Sequence, residues 1–354
     1  MRDILMVIYD KFKNCVNVEN KATYKKDYIH AKKIYRYKID QAKKTANDNF
    51  IKNSKNKCKA TWSIIKTNLE SLTLNQQSNI NSQKFNDYFV GVSDELNKNI
   101  TKNNGEALQL LNNFLDKCFL REKFTWKKIV KKDIKLCISK LSSSKSEDFY
   151  GFSNFLVKKI IFVIIDPLVY LYNKMLEQGV FPNALKLVKI IPIYKKGDKL
   201  DPSSYRPISL VPIIGKIFEY CIKEQLYDYF SLNYLLCNEQ FGFMPGCNTV
   251  MAVESVVNDI ILSFENKAVQ SATLIDLSKA FDCISHTLIL DKLTRYGITG
   301  IELNLLSSYL SCRKQMVVQG DDKSNFNEIK NGVPQGSVLG PFLFTIAVND
   351  FSCN

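Results

Sequence analysis

Two carboxylates frame the segment Asp276-Leu277-Ser278-Lys279-Ala280-Phe281-Asp282. The apolar run Ala272–Ile275 ahead of it predicts a strand that carries Asp276 to the edge of a sheet. There a carboxylate can offer a hard oxygen ligand to Mg²⁺. Spacing alone serves equally well for an ordinary strand end or helix cap. Asp282 is placed to cap a helix that starts near His286, and Phe281 suits a core. A second segment, Gly332-Val333-Pro334-Gln335-Gly336-Ser337-Val338-Leu339-Gly340-Pro341, concentrates glycines around a side-chain amide. Glycine lets a backbone approach a ligand closely, and Gln335 can hydrogen-bond a base or sugar. By itself the pattern also reads as an elaborate turn before a helix.

Other chemistries are excluded by what surrounds these segments. The chain has 354 residues, ten Cys and two His, with no C-x-x-C spacing, so a zinc centre lacks its ligands. The thiols are expected to be reduced side chains of an intracellular protein. Neither G-x-G-x-x-G nor G-x-x-x-x-G-K-[ST] occurs. The longest apolar runs, Ile4–Tyr9 and Ile160–Ile165, fall well short of the roughly 20 residues of a spanning helix. The N-terminus lacks the small-residue pattern of a cleaved signal.

Charge is uneven. The net charge is +14, and residues 1–66 hold 17 Lys and Arg against 6 Asp and Glu. A basic segment ahead of a near-neutral body suits a polyanion, nucleic acid first among them. A solvated lysine-rich helix without a partner would look the same. Tyr24, Tyr28, Tyr35 and Trp62 interleave these lysines. They fit either a base-stacking surface or a helix–helix seam.

The elements that must position the candidate residues follow from periodicity. Residues 20–66 read as helical, 68–83 as a polar linker, and 97–106 as a second polar break after a short helix at 85–96. Ile134, Cys137, Ile138 and Leu141 mark an amphipathic helix. Another carries Leu168, Leu171, Tyr172 and Met175, with Pro167 at its start and Gly179 at its end. Lys189–Tyr194 reads as a strand with Pro192 at an edge or bulge. Lys195–Asp198 turns it into a partner, Ser204–Leu210. Helices are expected over 214–226, 249–265, 286–296, 300–310 and 341–351. A strand ends at Asp276, and a hairpin turns at Gly320-Asp321. The class is α/β with mixed hairpins (α+β).

Six pieces stand in the order and approximate spacing of the non-LTR, jockey-like retrotransposon reverse transcriptase, which residues 130–354 resemble. They are Leu176–Pro182, Ile191–Asp198, Tyr205-Arg206-Pro207-Ile208-Ser209, Gln240-Phe241-Gly242-Phe243, Leu274–Asp282 and Gly332–Pro341. The resemblance implies a right-hand polymerase: fingers and partial palm over 126–354, after a basic, mostly helical linker over 1–125. By the same resemblance Asp276 would be a catalytic Mg²⁺ ligand and Phe281 the gate that excludes a 2′-hydroxyl. Arg206, with Lys195 or Lys196, would contact the incoming triphosphate. Gln335 and Gly336 would line the nucleotide and template pocket. RNA template, DNA primer and deoxynucleoside triphosphates would be the partners, with no membrane, and the location would be intracellular and nuclear.

The chain departs from the family at three places. Met244 and Cys247 follow the Gln240–Phe243 motif where basic residues are usual. Ser146-Glu147-Asp148-Phe149-Tyr150-Gly151 lacks a Pro and a Gly of the family's segment. The aromatic-x-Asp-Asp hairpin and the thumb are not reached by Asn354, and Asn349-Asp350 is no substitute. The expectation is therefore an RNA-directed DNA polymerase by two-metal nucleotidyl transfer, inactive as these 354 residues alone. The rival is a non-catalytic, nucleic-acid-binding remnant of such an element.

Overall fold

The computed structural model describes residues 2–15, 17–54, 56–70, 80–98, 109, 112–113, 123–277 and 279–351. Most of the two expected polar breaks, and Ser278 of the aspartate motif, lie outside them. The chain divides into two compact units, 1–77 and 78–354.

The first unit is helical: α1 (Arg2–Asn14), α2 (Val18–Asn53) and α3 (Lys57–Glu70). Lysines ring α2 on every side, so it lacks a strong apolar face. Tyr28 meets Tyr9 and Phe12 of α1, with ring centroids 5.2 and 6.2 Å apart. That aromatic therefore belongs to a helix seam. Tyr24 and Tyr35 are half-buried, whereas Trp62 is exposed.

The second unit contains α4 (Ser82–Lys98), α5 (Lys131–Lys140), α6 (Asn154–Gln178), β1 (Leu187–Tyr194), β2 (Tyr205–Leu210), α7 (Ile213–Leu232) and α8 (Thr249–Glu265). They are followed by α9 (Ala280–Cys283), α10 (His286–Arg295), α11 (Gly300–Leu310), β3 (Arg313–Gln319), β4 (Asp322–Lys323), β5 (Asn327–Ile329) and α12 (Leu339–Val348). The expected α+β class is what forms. The sheet runs β2-β1-β3, with β4 and β5 both on β3. Its β1–β3 pairing is parallel and the others are antiparallel.

Pro192 sits in β1, which has neighbours on both sides. It is tolerated because the parallel ladder with β3 ends at Ile190, two residues earlier. Opposite it stands Pro207 of β2. Lys195 N donates to Ser204 O in the same register, so alternation makes the Pro pair non-hydrogen-bonded, and neither missing N–H breaks the ladder.

One expected helix start is corrected. Pro167 lies inside α6, which begins after Ser153, whose hydroxyl accepts from Leu156 N at 3.2 Å. The carbonyl that Pro167 leaves without a donor belongs to Val163, an exposed residue, so water can satisfy it. Gly179 closes the helix in the left-handed region, at φ 64°.

The main core lies among α5, α6, α7, α10, α11 and α12, around Tyr172, Phe218, Phe230, Tyr296, Tyr309 and Phe342. A smaller cluster under α4 holds Phe85, Val188, Ile190, Val211 and Val317. Phe85 is fully buried and meets Tyr205 edge-on at 4.8 Å. Burying such a side chain is worth about 1.5–3 kcal/mol. Asn86 adds bonds to Asn325 O and Gln315. α4 lies within the stretch 1–125 expected as a linker, and it packs on the sheet. Among the described residues no helix is long and apolar enough to cross a membrane.

Candidate active site

Three sequence motifs meet beside β2. The segment 331–338 lies between the end of α9 and that strand. On one side Gly332 N donates to Ile284 O at 2.8 Å, and Val333 N donates to Phe281 O at 2.7 Å. On the other, Ser209 N donates to Gln335 O at 2.9 Å. Two glycines make this approach possible. A β-carbon on Gly332 (φ 78°) would lie 2.5 Å from Phe281 O, and one on Gly336 (φ 138°) would lie 2.4 Å from Ser209 O. No side chain fits at such distances, and both angles favour glycine.

The loop is also held from beneath. Glu219 of α7 is buried, and its carboxylate accepts from Val338 N at 2.7 Å and Leu339 N at 3.2 Å. It serves the donors that the first turn of α12 leaves free. Ser337 Oγ accepts from Gly340 N and donates to Pro334 O. Burial pushes the Tyr309 phenol well up, and the nearby Glu219 charge adds to that effect. His286 Nε2 lies 2.7 Å from Gly332 O. Burial lowers the His286 pKa, opposed by that bond, so the neutral ring donates at neutral pH.

Gln335 turns its amide into this cluster. Its Nε2 donates to Asp282 Oδ1 and Oδ2 at 2.9 and 3.0 Å. Burial raises the Asp282 pKa, while the Gln335 bond and the Lys279 charge pull it down. Asp282 is thus not the cap of α10; Ser285 holds that position. A small cavity is lined by Ser209, Asp282, Gln315, Asn331, Pro334 and Gln335. Phe281 stacks on Phe344 at 4.8 Å and meets Phe243 edge-on at 5.5 Å, which draws the Gln240–Phe243 motif to the same place. Lys279 Nζ lies 4.4 Å over the Tyr88 ring and donates to its hydroxyl.

The remaining candidates stand apart from this cluster. Arg206 and Ile208 are exposed, while Ser209, one register step on, is buried; strand alternation puts Arg206 on the opposite sheet face. Lys195 and Lys196 are exposed at the β1–β2 turn. Asp276 is exposed, and residues 268–277 form no strand. Here the expectation is corrected: Leu274 is 98% and Ile275 64% exposed. Thr, Leu and Ile favour a strand, but propensity without a ladder partner does not hold one, and the described strands pair elsewhere. No group of three His, Cys, Asp or Glu suited to a metal ion occurs among the described residues. Asn349 and Asp350 are structural: Asp350 is buried against Lys292, and Asn349 bonds Cys237 N, Leu235 O and Tyr296.

Sequence reasoning missed Glu219, His286 and the Asp282–Gln335 pair. Glu219 carried a signal, because it interrupts the stripe Gly215, Ile222, Leu226 on an apolar helix face. His286 and the pair join residues about fifty positions apart, which no local pattern reveals.

Residues 193–354 match the model of the reverse transcriptase (RNA-dependent DNA polymerase) family. The chain is 33% identical over 223 residues to the probable RNA-directed DNA polymerase from transposon BS of Drosophila melanogaster, a match covering 61% of this chain and 24% of that one. It is 33% identical over 219 residues to the RNA-directed DNA polymerase from mobile element jockey of the same species, covering 62% and 24%. To the Pol polyprotein from type-2 retrotransposable element R2DM it is 27% identical over 229 residues, covering 63% and 20%. The match thus spans about a quarter of these relatives' length. Reverse transcriptases generally use divalent metal ions.

Proposed function

We propose that this chain supplies the nucleotide- and template-facing part of an RNA-directed DNA polymerase of a mobile element. One observation carries the reading: three motifs of the matched segment converge on one loop, with Gln335 at its centre. In this reading Gln335 and Gly336 face nucleotide and template, and Phe281 forms the floor beneath the sugar. Arg206, Lys195 and Lys196 meet the triphosphate from the exposed strand and turn. Asp276 provides a carboxylate for Mg²⁺. The lysine-rich residues 20–66 add salt-sensitive contacts to the nucleic-acid backbone.

The test is a fluorescent RNA template annealed to a DNA primer. Binding should weaken as salt rises. It should tighten when the complementary deoxynucleoside triphosphate is added with Mg²⁺, and not with the three mismatched ones. Equal response to all four nucleotides, or no binding of the hybrid, would contradict the reading. Any Mg²⁺-dependent primer extension should disappear in Asp276→Ala.

A further inference from the structure

Gln335 can present either end of its amide to a ligand, and the two ends ask for opposite partners. The NH₂ group donates; the carbonyl oxygen accepts. In this structure the choice is made by Asp282. Its two oxygens take up the Gln335 Nε2 at 2.9 and 3.0 Å. Turned by 180°, Oε1 would face an anionic carboxylate, a repulsive contact in a half-buried place. The Gln335 backbone is fixed separately, through Ser209 N to Gln335 O. Asp282 itself is anchored: it lies in α9, whose Phe281 O holds Val333 N and whose Phe281 ring packs on Phe344. Both carboxylate and amide line the same small cavity.

We infer that Asp282 is a positioning residue that fixes the Gln335 amide with its carbonyl oxygen free, so that Gln335 reads a hydrogen-bond donor on the incoming nucleotide or template. This deepens the proposed function and rests on it for the identity of the ligand, but not for the orientation itself. Donors of the required kind are sugar hydroxyls and exocyclic amino groups of bases. The inference also gives Asp282 a reason to be aspartate. Asparagine, of the same size, could donate its own NH₂ to Gln335 Oε1 and let the amide turn round.

The experiment has two arms. The first needs no ligand: the Gln335 side-chain NH₂ resonances, assigned through Gln335→Glu, are recorded in the full chain. In the wild type they should lie away from free-amide values and exchange slowly. Asp282→Asn should move them while leaving the thermal midpoint within about 2 °C. Unshifted, fast-exchanging amide protons in the wild type would overturn the inference even if Asp282→Asn failed to fold. The second arm is a double-mutant cycle on binding of the RNA template–DNA primer hybrid with complementary nucleotide. Asp282→Asn alone should weaken nucleotide-dependent binding about tenfold, the scale of one charge-assisted hydrogen bond. On a Gln335→Ala background it should cost almost nothing further. A full, additive loss on that background would make Asp282 merely structural and overturn the inference. If the hybrid is not bound at all, the proposed function fails, and the resonance arm still decides the orientation.

Discussion

Two stretches of the second unit, both rich in apolar residues, have opposite fates. In one, 331–348, the chain is locked on three sides: to α9 through Gly332 and Val333, to β2 through Gln335, and to α7 through Glu219. In the other, 249–277, α8 buries none of its residues, and the segment after it is exposed to its tip. Val253 is 62% exposed on a helix as apolar as α11, which is well buried. Apolar composition therefore does not decide packing here. Backbone complementarity does: two glycines and a carboxylate that receives two N–H groups make the loop fit its surroundings. Asp276, the expected metal ligand, sits in the stretch without such devices, whereas Gln335 sits in the one that has them.

The largest effect that would probe this contrast is steric. Gly332→Ala and Gly336→Ala force a β-carbon against a carbonyl at 2.5 and 2.4 Å in a conformation that favours glycine. Each should cost about 3 kcal/mol or more in urea unfolding. A cost under about 1 kcal/mol would mean that the loop can lift off β2 freely. Next comes Glu219→Ala, which strands the amides of Val338 and Leu339; about 2–3 kcal/mol is expected. Glu219→Gln retains an oxygen acceptor and should recover roughly half of it.

Acid–base behaviour sharpens the comparison on a smaller scale. The folded Asp282 pKa is raised, so folding favours its protonated form. Its contribution to stability is fully present below the ordinary carboxylate pKa and fades as pH rises through the raised value. The wild type should therefore lose stability across that window relative to Asp282→Asn, by well under 2 kcal/mol, read from urea midpoints at several pH values. An opposite slope would mean that the Gln335 bond and Lys279 outweigh burial. The smallest effect is expected in the exposed stretch: Val253→Ser and Ile261→Ser should stay within about 0.5 kcal/mol of wild type. A loss above about 1.5 kcal/mol would show that α8 is packed after all, and the contrast would collapse.

What the sequence disclosed follows the same division. Local devices were legible: the β1–β2 hairpin around Gly197-Asp198, the Gly179 helix end, and the apolar stripe through Ile134, Cys137 and Ile138. Gln335 and Gly336 were legible as a tight loop. Its partners were not, because Ser209 and Asp282 lie far off in the chain and only the fold brings them near. Pro167 misled because its cost vanishes where the stranded carbonyl reaches water. The strand expected before Asp276 misled because Thr273-Leu274-Ile275 advertises a strand without supplying its neighbour.

The most direct test of the central claim is amide hydrogen exchange with and without an RNA template annealed to a DNA primer, plus the complementary nucleotide and Mg²⁺. Protection is expected in 205–210 and 331–339, the strand and loop joined through Ser209 and Gln335. Protection confined to the lysine-rich residues 20–66, with 331–339 unchanged, would contradict it.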